Sequence, residues 1–162
     1  MSIRSATPAD CELIVSLIRE LAAYEKLLDQ CHATPAALQE SLFGERPRAE
    51  CLIAEHAGEG VGFALFFHNY STFMAKPGLY LEDLYVRPAA RGLGLGKALL
   101  VRLAGLAVER GCGRFEWSVL DWNRPAIRFY EALGARAQDE WTIYRVTGEA
   151  LTALAAQASP QP

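Results

Sequence analysis

No apolar run in this chain approaches the roughly 18 residues that a membrane-spanning helix needs, so membrane insertion is not expected. Cysteine is scarce. The four thiols at positions 11, 31, 51 and 112 include no Cys-x-x-Cys pair, the spacing of zinc ribbons and redox dithiols. Cys11, Cys51 and Cys112 each fall in or beside a predicted element, a setting for reduced structural thiols. His32, His56 and His68 are scattered, without the carboxylate or cysteine neighbours of a metal site, and no metal is expected. Positive charge is not in excess: 16 Lys and Arg stand against 19 Asp and Glu, for a net −3. Nucleic acid wants a basic face, so it is not expected as a partner. The same balance suits a cationic substrate. Ser2-Ile3-Arg4 runs straight into the first predicted segment with no leader pattern, and a reducing cytoplasm is the expected location. Repeats, linkers and charge blocks are absent too.

What remains is an ordinary globular composition, 51% hydrophobic and 22% charged over 162 residues. One domain over residues 1–154 with a disordered tail at 155–162 is expected, large enough to fold without metal or disulfide. Ile3–Ala6 reads as a short strand. Thr7-Pro8-Ala9-Asp10 is a helix start, with a hydroxyl cap, an early proline and a first-turn acid. The helix carries Leu13, Ile14, Leu17, Ile18 and Leu21 on one stripe. Thr34-Pro35 opens a second helix that stops near Gly44. Cys51–Glu55 and Val61–Tyr70 are strands around an Ala57-Gly58-Glu59-Gly60 turn. Pro77-Gly78 is a second turn before the strand Leu79–Val86. Lys97–Arg110 is a helix stopped by Gly111, Phe115–Leu120 a strand, and Asn123-Arg124-Pro125 the cap of a short helix ending near Gly134. Trp141–Thr147 reads as a final strand. This order indicates an α/β (α+β) domain around a central mixed sheet.

The most informative run is 81–97, Leu-Glu-Asp-Leu-Tyr-Val-Arg-Pro-Ala-Ala-Arg-Gly-Leu-Gly-Leu-Gly-Lys. Glycines at 92, 94 and 96 precede a helix, where backbone N–H groups and the helix dipole favour a phosphate. The spacing fails the dinucleotide fingerprint, whose third glycine would fall on Lys97. It also fails the triphosphate loop, which needs glycine at Arg91 and a hydroxyl at Ala98. What is left is Arg-x-x-Gly-x-Gly, Arg91 to Gly96, directly after a strand. This resembles the acetyl-CoA pyrophosphate loop of the GNAT superfamily of N-acetyltransferases. A plain Gly-rich strand-to-helix turn is the bland alternative.

Further segments extend the resemblance over about residues 3–150. Ile3-Arg4, Arg19-Glu20-Leu21-Ala22, Tyr24-Glu25, Tyr80-Leu81-Glu82-Asp83, Val119-Leu120-Asp121-Trp122-Asn123, Phe129-Tyr130 and Leu133-Gly134-Ala135 occur in one order. Together they resemble the diamine (spermidine/spermine) acetyltransferase family. Tyr70-Ser71-Thr72 and Leu120-Asp121-Trp122-Asn123 are similar to its thialysine N-epsilon-acetyltransferase branch. The chain departs from the family in a shorter turn between its second and third strands and in a compressed Gly134–Trp141 segment.

The resemblance implies a GNAT fold with a mostly antiparallel sheet, acetyl-CoA as cosubstrate and a homodimer. It implies a small primary amine as substrate, thialysine or a lysine-like molecule. A polyamine is the alternative, as is a protein N-terminus or lysine, and a non-catalytic acyl-CoA-binding module is the further alternative. The family match places the acetyl-CoA contacts on Leu84, Tyr85, Val86, Arg91, Gly92, Leu93, Gly94, Leu95, Gly96, Lys97, Asn123, Pro125, Ala126 and Tyr130. On the substrate side stand Tyr24, Glu25, Ser71, Thr72, Glu82, Asp83, Glu116, Trp117, Ser118, Leu120 and Asp121. An ammonium near pKa 10 must lose its proton before it attacks a thioester, and the leaving thiolate must gain one. Glu82 is expected to take the amine's proton and Tyr130 to protonate the thiolate. Each has a plainer alternative: an exposed strand carboxylate or salt bridge for Glu82, a core aromatic with a tied hydroxyl for Tyr130. Strand alternation puts Glu82, Leu84 and Val86 on one face and Asp83 and Tyr85 on the other.

Overall fold

The computed structural model describes residues 1–158. Two units are distinguished by their internal contacts, the first ending at Ser118 and the second beginning at Val119.

The first unit contains β1 (Ser2–Ser5), α1 (Cys11–Tyr24), α2 (Pro35–Phe43), β2 (Glu50–His56), β3 (Glu59–Ser71), β4 (Lys76–Val86), α3 (Leu95–Glu109) and β5 (Phe115–Trp117). The strands lie side by side in chain order. The first three pairings are antiparallel and β4–β5 is parallel, so the sheet is mixed and mostly antiparallel, as expected.

Local chemistry explains the start of α1. The Asp10 carboxylate accepts from the Thr7 N–H at 2.7 Å and its hydroxyl at 2.9 Å, and from two Arg4 nitrogens at 2.8 Å. The Arg4 guanidinium holds Asp10 well below the usual carboxylate range. The stripe of α1 then buries Ile14, Leu17 and Leu21 against Leu42, Cys51, Ile53, Phe63 and Tyr85. Phe66 points to the opposite sheet face from Phe63 by strand alternation, and there Arg110, just past α3, lies over its ring. Helices therefore cover both faces of the sheet.

Three expected boundaries move. Pro77-Gly78 is not a turn: both residues lie inside β4, opposite Tyr70 and Asn69, and the hairpin tip is at 72–75. Gly78 is small because Asn69 and Arg114 converge over it. A Cβ there would lie 2.1 Å from Asn69 Oδ1. Helix α3 starts two residues earlier than expected, because Gly94 at φ +81° is its N-cap and Gly96 is already helical. β5 ends at Trp117 rather than at residue 120.

The second unit holds α4 (Arg124–Ala132) and α5 (Gly148–Ala155). Asn123 caps α4 as expected, its Oδ1 accepting from the Ala126 N–H at 3.4 Å with Pro125 in the first turn. The expected strand Trp141–Thr147 is not formed: residues 135–147 carry no helix or strand. Apolar composition makes a segment extended, but only a neighbouring strand supplies the ladder. Of the expected disordered tail, Ala155 closes α5, and residues 159–162 lie outside the described residues.

Candidate active site

The site begins with an interruption in β4. Its register against β3 steps from Phe66↔Leu81 to Leu65↔Asp83, leaving Glu82 as an extra residue. Paired residues share a face, so Leu81 and Asp83 face opposite ways although only two residues apart. Beyond this step the expected alternation holds, with Leu84 and Val86 on one face and Asp83 and Tyr85 on the other. On its other side β4 pairs with β5 only from Leu79 to Leu81. From Glu82 to Val86, then, that edge of β4 faces no strand among the described residues. Its backbone groups suit an extended, amide-bearing ligand arm.

The open edge leads into the glycine loop. Arg91 turns back, its Nε donating to the Val86 carbonyl at 3.0 Å, and its guanidinium lies 5.2 Å from the Tyr24 ring centre and 5.8 Å from that of Tyr85. Gly92 and Gly94 take φ of +79° and +81°, a region that favours glycine, and a Cβ at either would meet nothing within 4 Å. The loop therefore presents backbone to open space at the start of a 15-residue helix. Leu93 and Lys97 are exposed. Tyr85 and Leu95 are buried in the core, so their side chains are structural and only their backbone can meet a ligand.

Carboxylates gather beside this edge. Burial pushes the Asp83 carboxyl up to about 6, with Glu82 and then Glu25 adding to the effect. Glu25, just past α1, is also raised by burial. Glu82 itself is exposed. Glu82 and Glu25 thus place two further carboxylates close enough to act on Asp83, and such a group suits a cation. Glu116 and Ser118 belong to this unit as well, Glu116 opposite Tyr80. Trp117 pairs with Leu81 and so faces the other side of the sheet. Ser71 and Thr72 do not join the carboxylates. They sit at the β3–β4 hairpin tip, about 20 Å along the strand from Glu82, where buried Ser71 accepts the Met74 N–H at 3.3 Å. In the second unit, Tyr130 is half-buried on α4 beside Phe129, ring centres 5.5 Å apart, about two turns beyond the Asn123 cap. Leu120 accepts the Asn123 N–H through its carbonyl at 2.8 Å, Asp121 is exposed, and Pro125 and Ala126 form the first turn of α4.

The model of the acetyltransferase (GNAT) family matches residues 16–135. The chain belongs to the GNAT acetyltransferase family. It is 43% identical to a thialysine N-epsilon-acetyltransferase of Sus scrofa, over 94% of this chain and 96% of that protein. It is 35% identical to an L-ornithine N5-acetyltransferase of Arabidopsis thaliana, over 94% of this chain and 86% of the relative. Among solved structures, an integron cassette protein from the mobile metagenome of V. cholerae superimposes with a TM-score of 0.80 at 28% identity, covering 95% of this chain and 96% of the other.

In this acetyltransferase a pairing that motif reading does not show holds the site together. Arg87, at the end of β4, grips Glu20 of α1, its Nε at 3.1 Å from both carboxylate oxygens and Nη2 at 2.8 Å from one; its Nη1 donates to the Gly60 carbonyl at 3.3 Å. Glu20 also accepts from the Tyr85 hydroxyl. The pair fixes the end of α1, and with it Tyr24 and Glu25, against the strand that carries Glu82. Sixty-seven residues separate the partners, so no local spacing announces the contact. Among the described residues no cluster of three or more His, Cys, Asp or Glu could hold a metal ion, and no helix is long and apolar enough to cross a membrane.

Proposed function

We propose that this acetyltransferase moves the acetyl group of acetyl-CoA to the side-chain amine of a small amino acid, thialysine or a lysine-like molecule, by direct attack within a ternary complex. The observation that carries the reading is the open β4 edge, which runs from the Glu82–Asp83 carboxylates to the Arg91–Gly96 loop. One end of it suits a cationic amine and the other an anionic phosphate, with the edge between them. The names of the relatives support the same substrate class: both act on amino acids with a second amine.

Acetyl-CoA supplies the activated thioester. The fit to it rests on the two positive-φ glycines with open space before them and on the unpaired edge. Arg91, Gly92, Leu93, Gly94, Gly96 and Lys97 hold the phosphates, through backbone N–H groups and two cations. The Leu84, Tyr85 and Val86 backbone pairs with the extended arm, and N–H groups there stabilise the developing oxyanion. Glu25 and Asp83 attract the ammonium, and Glu82, exposed on the bulge, accepts its proton directly or through water. Tyr130 protonates the departing thiolate, and Asn123, Pro125 and Ala126 contact the cosubstrate from the capped start of α4. The reading treats the chain as one catalytic domain in the cytoplasm, acting as a homodimer.

Acetyl-CoA turnover measured against thialysine, lysine, ornithine, spermidine and a basic peptide tests the reading. The expected result is highest kcat/KM for thialysine. Equal or better use of spermidine assigns the enzyme to polyamines, and no turnover of any amine reduces it to an acyl-CoA-binding module.

A further inference from the structure

A polar cluster lies on the same sheet face as Asp83, beyond the carboxylates; the resemblance marks its Glu116, Tyr80 and Ser118 but neither Asn69 nor Arg114. The register places Asn69, Phe67 and Leu65 of β3 on one face with Gly78, Tyr80 and Asp83 of β4, and Glu116 of β5 stands beside Tyr80. Arg114 is two residues before Glu116, and its Nε lies 2.7 Å from Glu116 Oε1 as an ion pair. Asn69 Nδ2 donates to the same oxygen at 3.2 Å. Glu116 Oε2 and the Arg114 Nη groups are left over for a ligand. Gly78 makes this convergence possible, since a Cβ there would strike Asn69 and crowd the Arg114 stem at 3.2 Å. Between this cluster and Asp83 lies an aromatic floor: Phe67 and Tyr80 stack at 5.2 Å, and the Tyr80 hydroxyl meets that of Ser118 at 2.7 Å.

We propose that Arg114, Glu116 and Asn69 clamp the α-carboxylate and α-ammonium of an amino-acid substrate whose reacting amine lies at Glu82 and Asp83. This rests on the amine-acetylating reading above and deepens it. Charge supplies the first argument. A zwitterionic head presents one anion and one cation, and the cluster presents one cation and one anion, each with a free hydrogen-bonding position. The Arg114 and Glu116 side chains are 38% and 36% exposed, so a ligand can reach them. Length supplies the second. Asp83 is three residues along β4 and one strand across from Glu116, about 11 Å between backbones. A lysine-length side chain spans roughly 6 Å from its amine to its α-carbon, and a hydrogen bond of about 2.8 Å at each end closes the remainder. The methylene or thioether chain then lies over Phe67 and Tyr80. A diamine lacks the carboxylate, and Arg114 repels its second ammonium. The cluster thus selects amino acids over diamines by attraction and repulsion together.

The test compares thialysine with bis(aminoethyl) sulfide, the same molecule without its carboxylate, in the full-length wild type and in Arg114→Met. The expected result is a KM for thialysine raised about tenfold with kcat within about twofold, while kcat/KM for the sulfide diamine rises. A shift of both amines by the same factor overturns the clamp and leaves Arg114 a structural residue. Thialysine methyl ester on the wild-type enzyme provides a measurement that needs no variant to fold: its KM should exceed that of the acid about tenfold, and equal use overturns the proposal. A wild type that acetylates neither amine ends the reading of function and the clamp with it. One that acetylates acid, ester and diamine alike ends the clamp alone.

Discussion

In the first unit Phe63, Phe66, Leu79 and Leu81 are at most 1% exposed, whereas in the second Trp141, Ile143 and Tyr144 are 77%, 76% and 92% exposed. The two sets are equally apolar. They differ in whether a neighbouring strand and a helix exist to cover them. β3 and β4 hydrogen-bond along their length, with helices on both faces. Residues 141–147 have no strand partner among the described residues and stay irregular. Burial is thus a property of pairing, not of residue type. α4 forms in the same second unit because its signals are local: the Asn123 cap, the proline at 125 and Gly134 at φ +91°.

The sharpest way to test this contrast is chemical. The first unit carries the expected phosphate loop and carboxylates, and the second carries one expected catalytic group. Tyr130→Phe removes a hydroxyl and little else. Its kcat should fall by about two to four orders of magnitude with the KM values nearly unchanged. Steady-state kinetics with thialysine checks this, and a kcat within threefold of wild type would confine the chemistry to the first unit.

Next in size is Gly94→Val. The position is at φ +81° with open space around it, so a branched side chain strains the backbone and covers the N–H groups proposed to hold the phosphate. The KM for acetyl-CoA should rise roughly thirtyfold, about 2 kcal/mol, with the circular dichroism spectrum retained. Unchanged acetyl-CoA affinity by calorimetry would remove the basis for the loop's role.

Legibility followed the same division. The helix starts at Thr7, Thr34 and Asn123 and the stripe Ile14–Leu17–Leu21 were readable because caps and periodicity are written within a few residues. The glycine loop was readable for the same reason, and only the helix start moved, to Leu95. The register step at Glu82, the short β5 that opens the β4 edge, and the Arg87–Glu20 grip were not readable, since each depends on a partner far away in the chain. Ser71 joins them: Tyr70-Ser71-Thr72 carries a resemblance, whereas the Met74 N–H that its hydroxyl accepts is set by how the hairpin turns.

A third test addresses what covers the exposed set. If a second copy does, as proposed, sedimentation at micromolar concentration should give about twice the 17.8 kDa chain mass. Each such side chain contributes on the order of 2 kcal/mol on burial, so Ile143→Glu, which also introduces a charge, should shift the species to monomer. A wild-type mass near that of one chain would exclude the dimer.

The smallest expected effect is in the first unit and concerns stability rather than rate. Asp83 folds into a site that pushes its carboxyl from 3.8 up to about 6, by burial first and by Glu82 and Glu25 next. The folded state therefore binds this proton more tightly than the unfolded state, and stability declines as pH rises from about 3.8 through about 6. Above that window the whole cost is present. Asp83→Asn carries no such charge, so it should be more stable than wild type by about 1–3 kcal/mol at pH 7, with the gap closing near pH 4. Urea unfolding at both pH values measures it. The same variant should bind the amine more weakly, because the charge that destabilises the empty site is the one that attracts the ammonium. A variant no more stable than wild type at pH 7 would show that solvent or a neighbouring group already relieves Asp83, and that the well-packed unit carries no strain at its carboxylates.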